Sequence, residues 1–318
     1  MSDPLPPAVP ANANSPSPVA TAPPSWLYGN RPIVVYVLLV VAAIGAVSFL
    51  LARGFQHAAK EISKINFTDI SGGSGRDTSG ATGRANSTID PAAQDEAEKL
   101  LAQVATGDAA AAAQALAESD GWTGKTHRTP RTDQLVTAIL NGTSHPAREA
   151  AVQAQLALDG VPRTESSVAM LERAVGDPGQ RAWALWMLGA LGNRGVDAVH
   201  TAKIIESYLD DPNVQVRASS VDALSLVGTD ETIPMLLDRF RNDPSPIVQE
   251  RAACDLAQSG MYTQAQRITA AASLVGWLDD SLLSAQQRAW TLQALSDISG
   301  KHFGSDSAAW KRWLDTAR

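Results

Sequence analysis

The chain predicts an all-α protein: an α-solenoid of stacked helical hairpins, preceded by one transmembrane helix and a flexible linker. Three observations predict it. After residue 90 the apolar residues recur with a helical period, and nowhere do they alternate with a period of two for long enough to build a sheet. A Leu-x3-Gly signature closes successive segments at intervals of 32 to 36 residues. Residues 33–52, IVVYVLLVVAAIGAVSFLLA, carry no charge.

Residues 1–30 hold eight prolines among Ala, Ser and Asn, with Asp3 as the sole charged side chain before Arg31. Such a tail buries too little apolar surface to offset its ordering entropy, so a disordered Pro-rich segment is expected. Residues 31–53 are expected to form the transmembrane helix, because twenty apolar residues at ~1.5 Å each span ~30 Å, the thickness of a bilayer core. Trp26 and Tyr28 stand where interfacial aromatics belong. One cation, Arg31, precedes the span, whereas Arg53, Lys60 and Lys64 follow it. That bias predicts a single-pass membrane protein in contact with the lipid bilayer through residues 33–52, its large domain cytoplasmic. Residues 54–90 read as a juxtamembrane helix followed by a linker, SGGSGRDTSGATGRANST, of flexible Gly/Ser character.

From Asp90 the pattern predicts helices at 91–105, 108–118, 130–141, 146–159, 164–176 and 178–191. More follow at 196–209, 212–227, 230–241, 244–258, 263–279, 282–298 and 307–317. Leu156/Gly160, Leu188/Gly192, Leu224/Gly228 and Leu256/Gly260 close four of them, each glycine expected in the left-handed position that ends a helix. At the opposite end stand Asp177-Pro178, Asp211-Pro212 and Asp243-Pro244, read as an Asp cap with Pro at the first helical position. One helix, a turn, a capped second helix and a glycine stop make the unit. Such a unit cannot form its own core, so neighbours must stack into a solenoid spanning 91–318. Helices 91–118 and the aromatic segment around Trp310 and Trp313 are read as its two end caps.

Charge and chemistry narrow the function. Lys and Arg number 26 and Asp and Glu 33; six and five of these precede Pro91, leaving about −8 on the rest. A nucleic acid partner is therefore not expected, since phosphate binding needs clustered cations. GWTGKT at 121–126 lacks the first glycine and the preceding strand of a phosphate loop. Five scattered histidines and the single Cys254 offer no metal-ligand spacing. No catalytic, cofactor-binding or metal-ligating residues are assigned, and the chain is not read as an enzyme. Cys254, in an Ala-rich helix, is expected to be an inert small side chain. Trp183 and Trp186, three apart on one helix, are possible interaction aromatics.

The repeat resembles the HEAT repeat family, in the short-repeat form also found in phycobilisome-lyase-like proteins. Val214 to Gly228, VQVRASSVDALSLVG, carry the closest match to its second-helix pattern, and the resemblance covers roughly residues 130–300. It implies an arginine ladder in which second-helix arginines meet acidic groups of adjacent repeats. Arg181, Arg217 and Arg288 fall in that register, whereas Gln249 and Glu149 interrupt it. It further implies a HEAT-type surface presented to another protein, which with the span at 33–52 gives a membrane-anchored scaffold. The alternative it leaves open is a lyase-like enzyme or accessory acting on a bound chromophore or partner.

Overall fold

The computed structural model describes residues 89–317, which contain thirteen α-helices and no strand among the described residues. The first four are α1 (Pro91–Ala105), α2 (Ala109–Trp122), α3 (Pro130–Leu140) and α4 (His145–Leu158). Next come α5 (Glu165–Val175), α6 (Arg181–Asn193), α7 (Ala198–Glu206), α8 (Val214–Val227) and α9 (Thr232–Asn242). The rest are α10 (Pro246–Cys254), α11 (Gln264–Trp277), α12 (Ala285–Ser299) and α13 (Ser307–Ala317). The last turn of α10 widens into a π-helical turn over Asp255–Ser259. Helix starts are chemically specified. Thr129, Thr263 and Ser284 form capping boxes, and Asp90 and Asp108 accept from first-turn amides.

Among the described residues no helix is long and apolar enough to cross a membrane. This finding overturns the single-pass, cytoplasm-facing localisation expected above, and that assignment is withdrawn. The apolar run at 33–52 that motivated it, with the tail and linker, lies outside the described residues.

Helices pair as hairpins from α5–α6 to α11–α12, and the even-numbered member of each pair forms an inner layer. Within that layer α6 lies against α8, α8 against α10, and α10 against α12. The leucines of the signature (Leu156, Leu188, Leu224 and Leu256) are all buried in one continuous core. Its glycines divide. Gly160 and Gly228 take the expected left-handed backbone, with φ of +70° and +65°. Gly192 instead lies inside α6, and Gly260 is extended. The left-handed backbone is therefore not found at those two positions, although Gly260 still ends its helix; both glycines are needed for room. A Cβ on Gly192 would sit 3.0 Å from a Val227 methyl, and one on Gly260 would sit 2.6 Å from the Asp255 carbonyl.

Gly189 supplies the closest approach of all: a Cβ there would overlap the Ala223 carbonyl across the α6–α8 interface. Gly189→Ala should stabilise an isolated helix by about 1 kcal/mol. Here the clash dominates, and we expect a net loss of about 1–3 kcal/mol in urea unfolding.

The Asp-Pro caps also need correction. Asp177, Asp211 and Asp243 each accept the backbone N–H two residues on, from Gly179, Asn213 and Ser245, at 2.8–2.9 Å. Their helices start three or four residues after the aspartate, because this side-chain turn places Pro in the turn itself. Asp280 repeats the turn with Leu282 N–H at 2.8 Å.

The N-terminal four helices do not continue the stack as the solenoid reading expects. Helix α2 lies along α4, Ala111, Ala112 and Ala115 belonging with Ala147, Ala150, Ala151 and Ala154 to a second, smaller core. Every residue of α4 from Ala150 to Leu158 is buried, as befits a helix packed on more than one side. Val152 and Leu156 join the large core, whereas the alanines serve the small one. Direction separates α4 from the stack. Trp183 at the start of α6 reaches Asp159, Gln153 reaches the Ala190 carbonyl, and His145 and Arg148 reach carbonyls at 258–261. Walking back along α4 thus walks forward along α6 and onward to the end of α10. In a regular stack the inner helices run parallel and in register; α4 crosses them instead and ties residues more than 100 positions apart.

Candidate functional site

The inner layer is held by polar side chains that recur in step with the repeat. Arg181 donates to the Val175 carbonyl at 2.9 Å, Arg217 to the Asp211 carbonyl at 2.9 Å, and Gln249 to the Asp243 carbonyl at 2.6 Å. Each reaches six residues back, across the turn that opens its own helix. The two arginines also reach forward to the next repeat. Arg181 lies 3.6 Å from Asp211 and over the Tyr208 ring, and Arg217 grips both oxygens of Asp243 at 2.9 and 3.0 Å. Gln249 lacks a charge to continue the series, and Arg241 from α9 pairs with Asp280 in its place. Arg288 donates to the carbonyls of Leu278 and Asp280. Glu149, at the corresponding place in α4, lies on the helix that crosses the stack.

A different face of the same inner helices is open to solvent. On α8 the residues Gln215, Ser219 and Asp222, spaced four and three apart, share one side. Ile247, Arg251, Cys254 and Gln258 occupy the matching side of α10, and Gln293 and Asp297 that of α12. A contact joins two of these helices, Arg251 lying 3.5 Å from Asp222.

This strip perturbs its own titrating groups. Asp222 keeps 35% of its side chain exposed, yet the atoms packed around it desolvate its carboxylate. That desolvation, against the pull of Arg251, raises its pKa. Asp255 is 3% exposed, and burial together with the neighbouring Asp222 charge hold its carboxyl well above the usual range. Burial, then Asp255 and Glu250, push the Cys254 thiol to about 11, so this exposed cysteine stays a thiol at neutral pH. Behind the strip, Arg267 and Arg148 converge on the carbonyls of Leu256, Gln258 and Gly260 at the end of the π turn. Burial and mutual repulsion bring Arg267 down to about 10.

A raised carboxyl binds its proton more tightly in the fold than in the unfolded chain. Asp255 therefore contributes favourably at low pH, and this is lost as pH rises from about 4 through its elevated folded value. Asp255→Asn keeps the shape without the charge. We expect the variant to match the parent near pH 4 and to melt higher at pH 8, read as Tm across the pH series.

The tryptophans singled out by sequence stand on α6 at the positions that Ser219 and Asp222 hold on α8. Trp183 and Trp186 are half-buried against the large core, and the Trp183 indole N–H donates to Asp159 at 3.4 Å. Burial lifts Asp159 to about 6 despite Arg128 3.9 Å away. At the C-terminal end Trp310 is wholly buried, donates to the Gly304 carbonyl and meets Phe303 and Trp313 edge-on. Trp277 faces Phe240 and Arg241 instead. Among the described residues no group of three or more His, Cys, Asp or Glu side chains is placed to hold a metal ion.

Residues 168–257 match the HEAT repeat family. That stretch begins in α5 and ends in the π turn, so it starts after the helix that breaks register. An engineered protein of known crystal structure is similar over 64% of this chain and 97% of its own length. Its identity is 15% and its TM-score 0.30, too low to bear on fold or function. No curated protein matches the sequence.

Asp222, Arg251, Asp255 and Arg148 escaped the sequence reading. One signal was available. Asp255 and Asp297 stand in the last turns of inner helices and Asp222 less than two turns from the end of another, where a helix dipole disfavours a negative charge.

Proposed function

We propose that the chain is a protein-interaction scaffold that presents the open side of α8, α10 and α12 to a partner protein. The observation that carries this reading is the polar lattice beneath that side. Arg181 and Arg217 fix α6 to α8 and α8 to α10, while Gln249 and Arg288 brace the turns that open their own helices, so exposed residues on separate helices keep a constant spacing. A rigid, ordered surface loses little entropy on binding. The HEAT match over 168–257 supports the same reading, since such repeats commonly mediate protein contacts. A lyase-like reaction would need a polar recess on this surface. One open depression lies away from it, between α1 and α3, lined by Glu98, Lys99 and Arg131.

The test is affinity capture from cells after cross-linking, with the full chain and with a Gln215→Arg/Gln293→Arg variant, both sites exposed. A partner recovered with the parent and lost with the variant, at equal melting temperature, supports the reading. A partner held equally by both overturns it.

A further inference from the structure

The four N-terminal helices form a block that meets the stack along one seam, and α4 lies on that seam. Toward α1–α3 it turns alanines, over which the small core closes. Toward the stack it turns Val152 and Leu156 as apolar anchors and, beside them, the polar side chains of Arg148, Gln153 and Asp159. This side is poorly satisfied. Among the described residues seven buried side-chain atoms have no hydrogen-bond partner in the protein, and five of them lie here. They are Arg148 Nε, Gln153 Oε1 and Asp159 Oδ2 from α4, and Asn193 Oδ1 and Arg194 Nη1 from the end of α6, just past the Ala190 carbonyl that Gln153 reaches. Folded interiors leave few such atoms, and each regains hydration when its surfaces part. The seam therefore opposes its own closure, whereas the Arg217–Asp243 contact inside the stack pairs both carboxylate oxygens.

Asp159 is the least satisfied point. It caps α4 with its side chain 13% exposed, between one group from each body. Its Oδ1 accepts the Trp183 indole N–H of α6 at 3.4 Å and faces Arg128 of the block at 3.9 Å, while Oδ2 is unpartnered. Arg128 is already engaged at 2.9 Å by Asp133 of α3, a second carboxylate that repels the first. Arg163, four residues on, pairs with Asp120 near the end of α2. An ionised Asp159 thus has one long hydrogen bond and a share of one cation. Burial outweighs both and lifts the group from 3.8 to about 6. The neutral carboxyl suits the closed seam, and the ionised one regains its water when the seam parts.

We propose that the block is a proton-operated cover, which rocks on the stack along α4, closed while Asp159 holds its proton and opening more often once the proton leaves. Its use rests on the scaffold reading. Trp183, which Asp159 holds, and Trp186 occupy on α6 the places of Ser219 and Asp222 on α8. Opening therefore lengthens the partner strip by one helix and two aromatic side chains, the residue type that most often anchors an interface.

The experiment measures thiol labelling by a methanethiosulfonate in the full chain carrying Cys254→Ser, against a free thiol peptide at each pH. Val152→Cys reports the seam, Val221→Cys the interior of the stack, and Leu156→Cys serves as a second seam position; each is used only at parental Tm. Both valines are fully buried. At pH 8 position 152 should be at least about tenfold less protected than position 221. From pH 5 to pH 8 its protection should fall about tenfold, the change that proton affinities of about 6 closed and 3.8 open impose. Because His145 at the other end of α4 is also titratable, Asp159→Asn carries the assignment, and in it the fall should shrink below about twofold. Equal protection at 152 and 221 would show that the seam parts only on global unfolding and would overturn the proposal. A fall that is absent in the parent, or unchanged in Asp159→Asn, overturns it as well. No partner enters this measurement, so its failure leaves the scaffold standing; loss of the scaffold reading would remove the use of the cover and leave its motion in place.

Discussion

Asp243→Ala is expected to destabilise the protein by about 3–5 kcal/mol, the cost of leaving a buried guanidinium without its counter-ion. The side chains of Arg217 and Asp243 are 9% and 0% exposed, and the pair is bidentate. Asp243 does more than pair. It holds the Ser245 amide in the turn before α10, and its carbonyl receives Gln249. The substitution therefore strikes the α8–α10 junction from both sides. For a domain of this size the loss corresponds to a fall in Tm of about 10 °C. Replacing both partners, as Arg217→Met/Asp243→Leu, should recover most of it, because no charge is then stranded. Differential scanning calorimetry of the parent and the two variants separates a stranded charge from a lost contact. Equal losses in the single and double variants would contradict this account.

Trp310→Ala is expected to cost about 3–5 kcal/mol as well, but through packing. Trp310 is the largest fully buried side chain of the C-terminal end and lies between Phe303 and Trp313, with its N–H on the Gly304 carbonyl. Helix α13 packs on α11. The exposed Lys311–Asp279 pair adds little to that attachment. The loss should therefore be local. Amide exchange should accelerate across 264–317 and remain near parental in α6 and α8, whose close-packed interface is untouched. Uniform acceleration throughout the chain would show that the end helix is integral to the fold rather than a seal.

Helix positions were legible in the sequence because apolar period, caps and glycines agree locally. Every expected helix from 91 to 317 has an observed counterpart, most ends falling within three residues. Arg181 and Arg217 meet an acid of the next repeat at the expected register, whereas Arg288 meets only carbonyls of its own turn. Two things were not legible. Gly192 reads as a helix stop, yet what it supplies is room for Val227, a demand that arises only once neighbours pack; Gly260 does end its helix, but without the left-handed backbone expected. The crossing of α4 was likewise hidden. Leu156/Gly160 obeys the repeat signature locally, and only the contacts of His145, Arg148 and Gln153 with distant carbonyls reveal that its helix leaves the stack. Asp255 was hidden because its character depends on Asp222, 33 positions earlier.

The central claim is that partner contact occurs on the open strip of the inner helices. A photo-activated cross-linking residue placed at Gln293 tests it most directly, with a second placed at Met170 on α5, exposed and away from the strip. The account predicts a partner adduct from position 293 and none from position 170. An adduct from position 170 alone would contradict it and move the interaction to the outer layer.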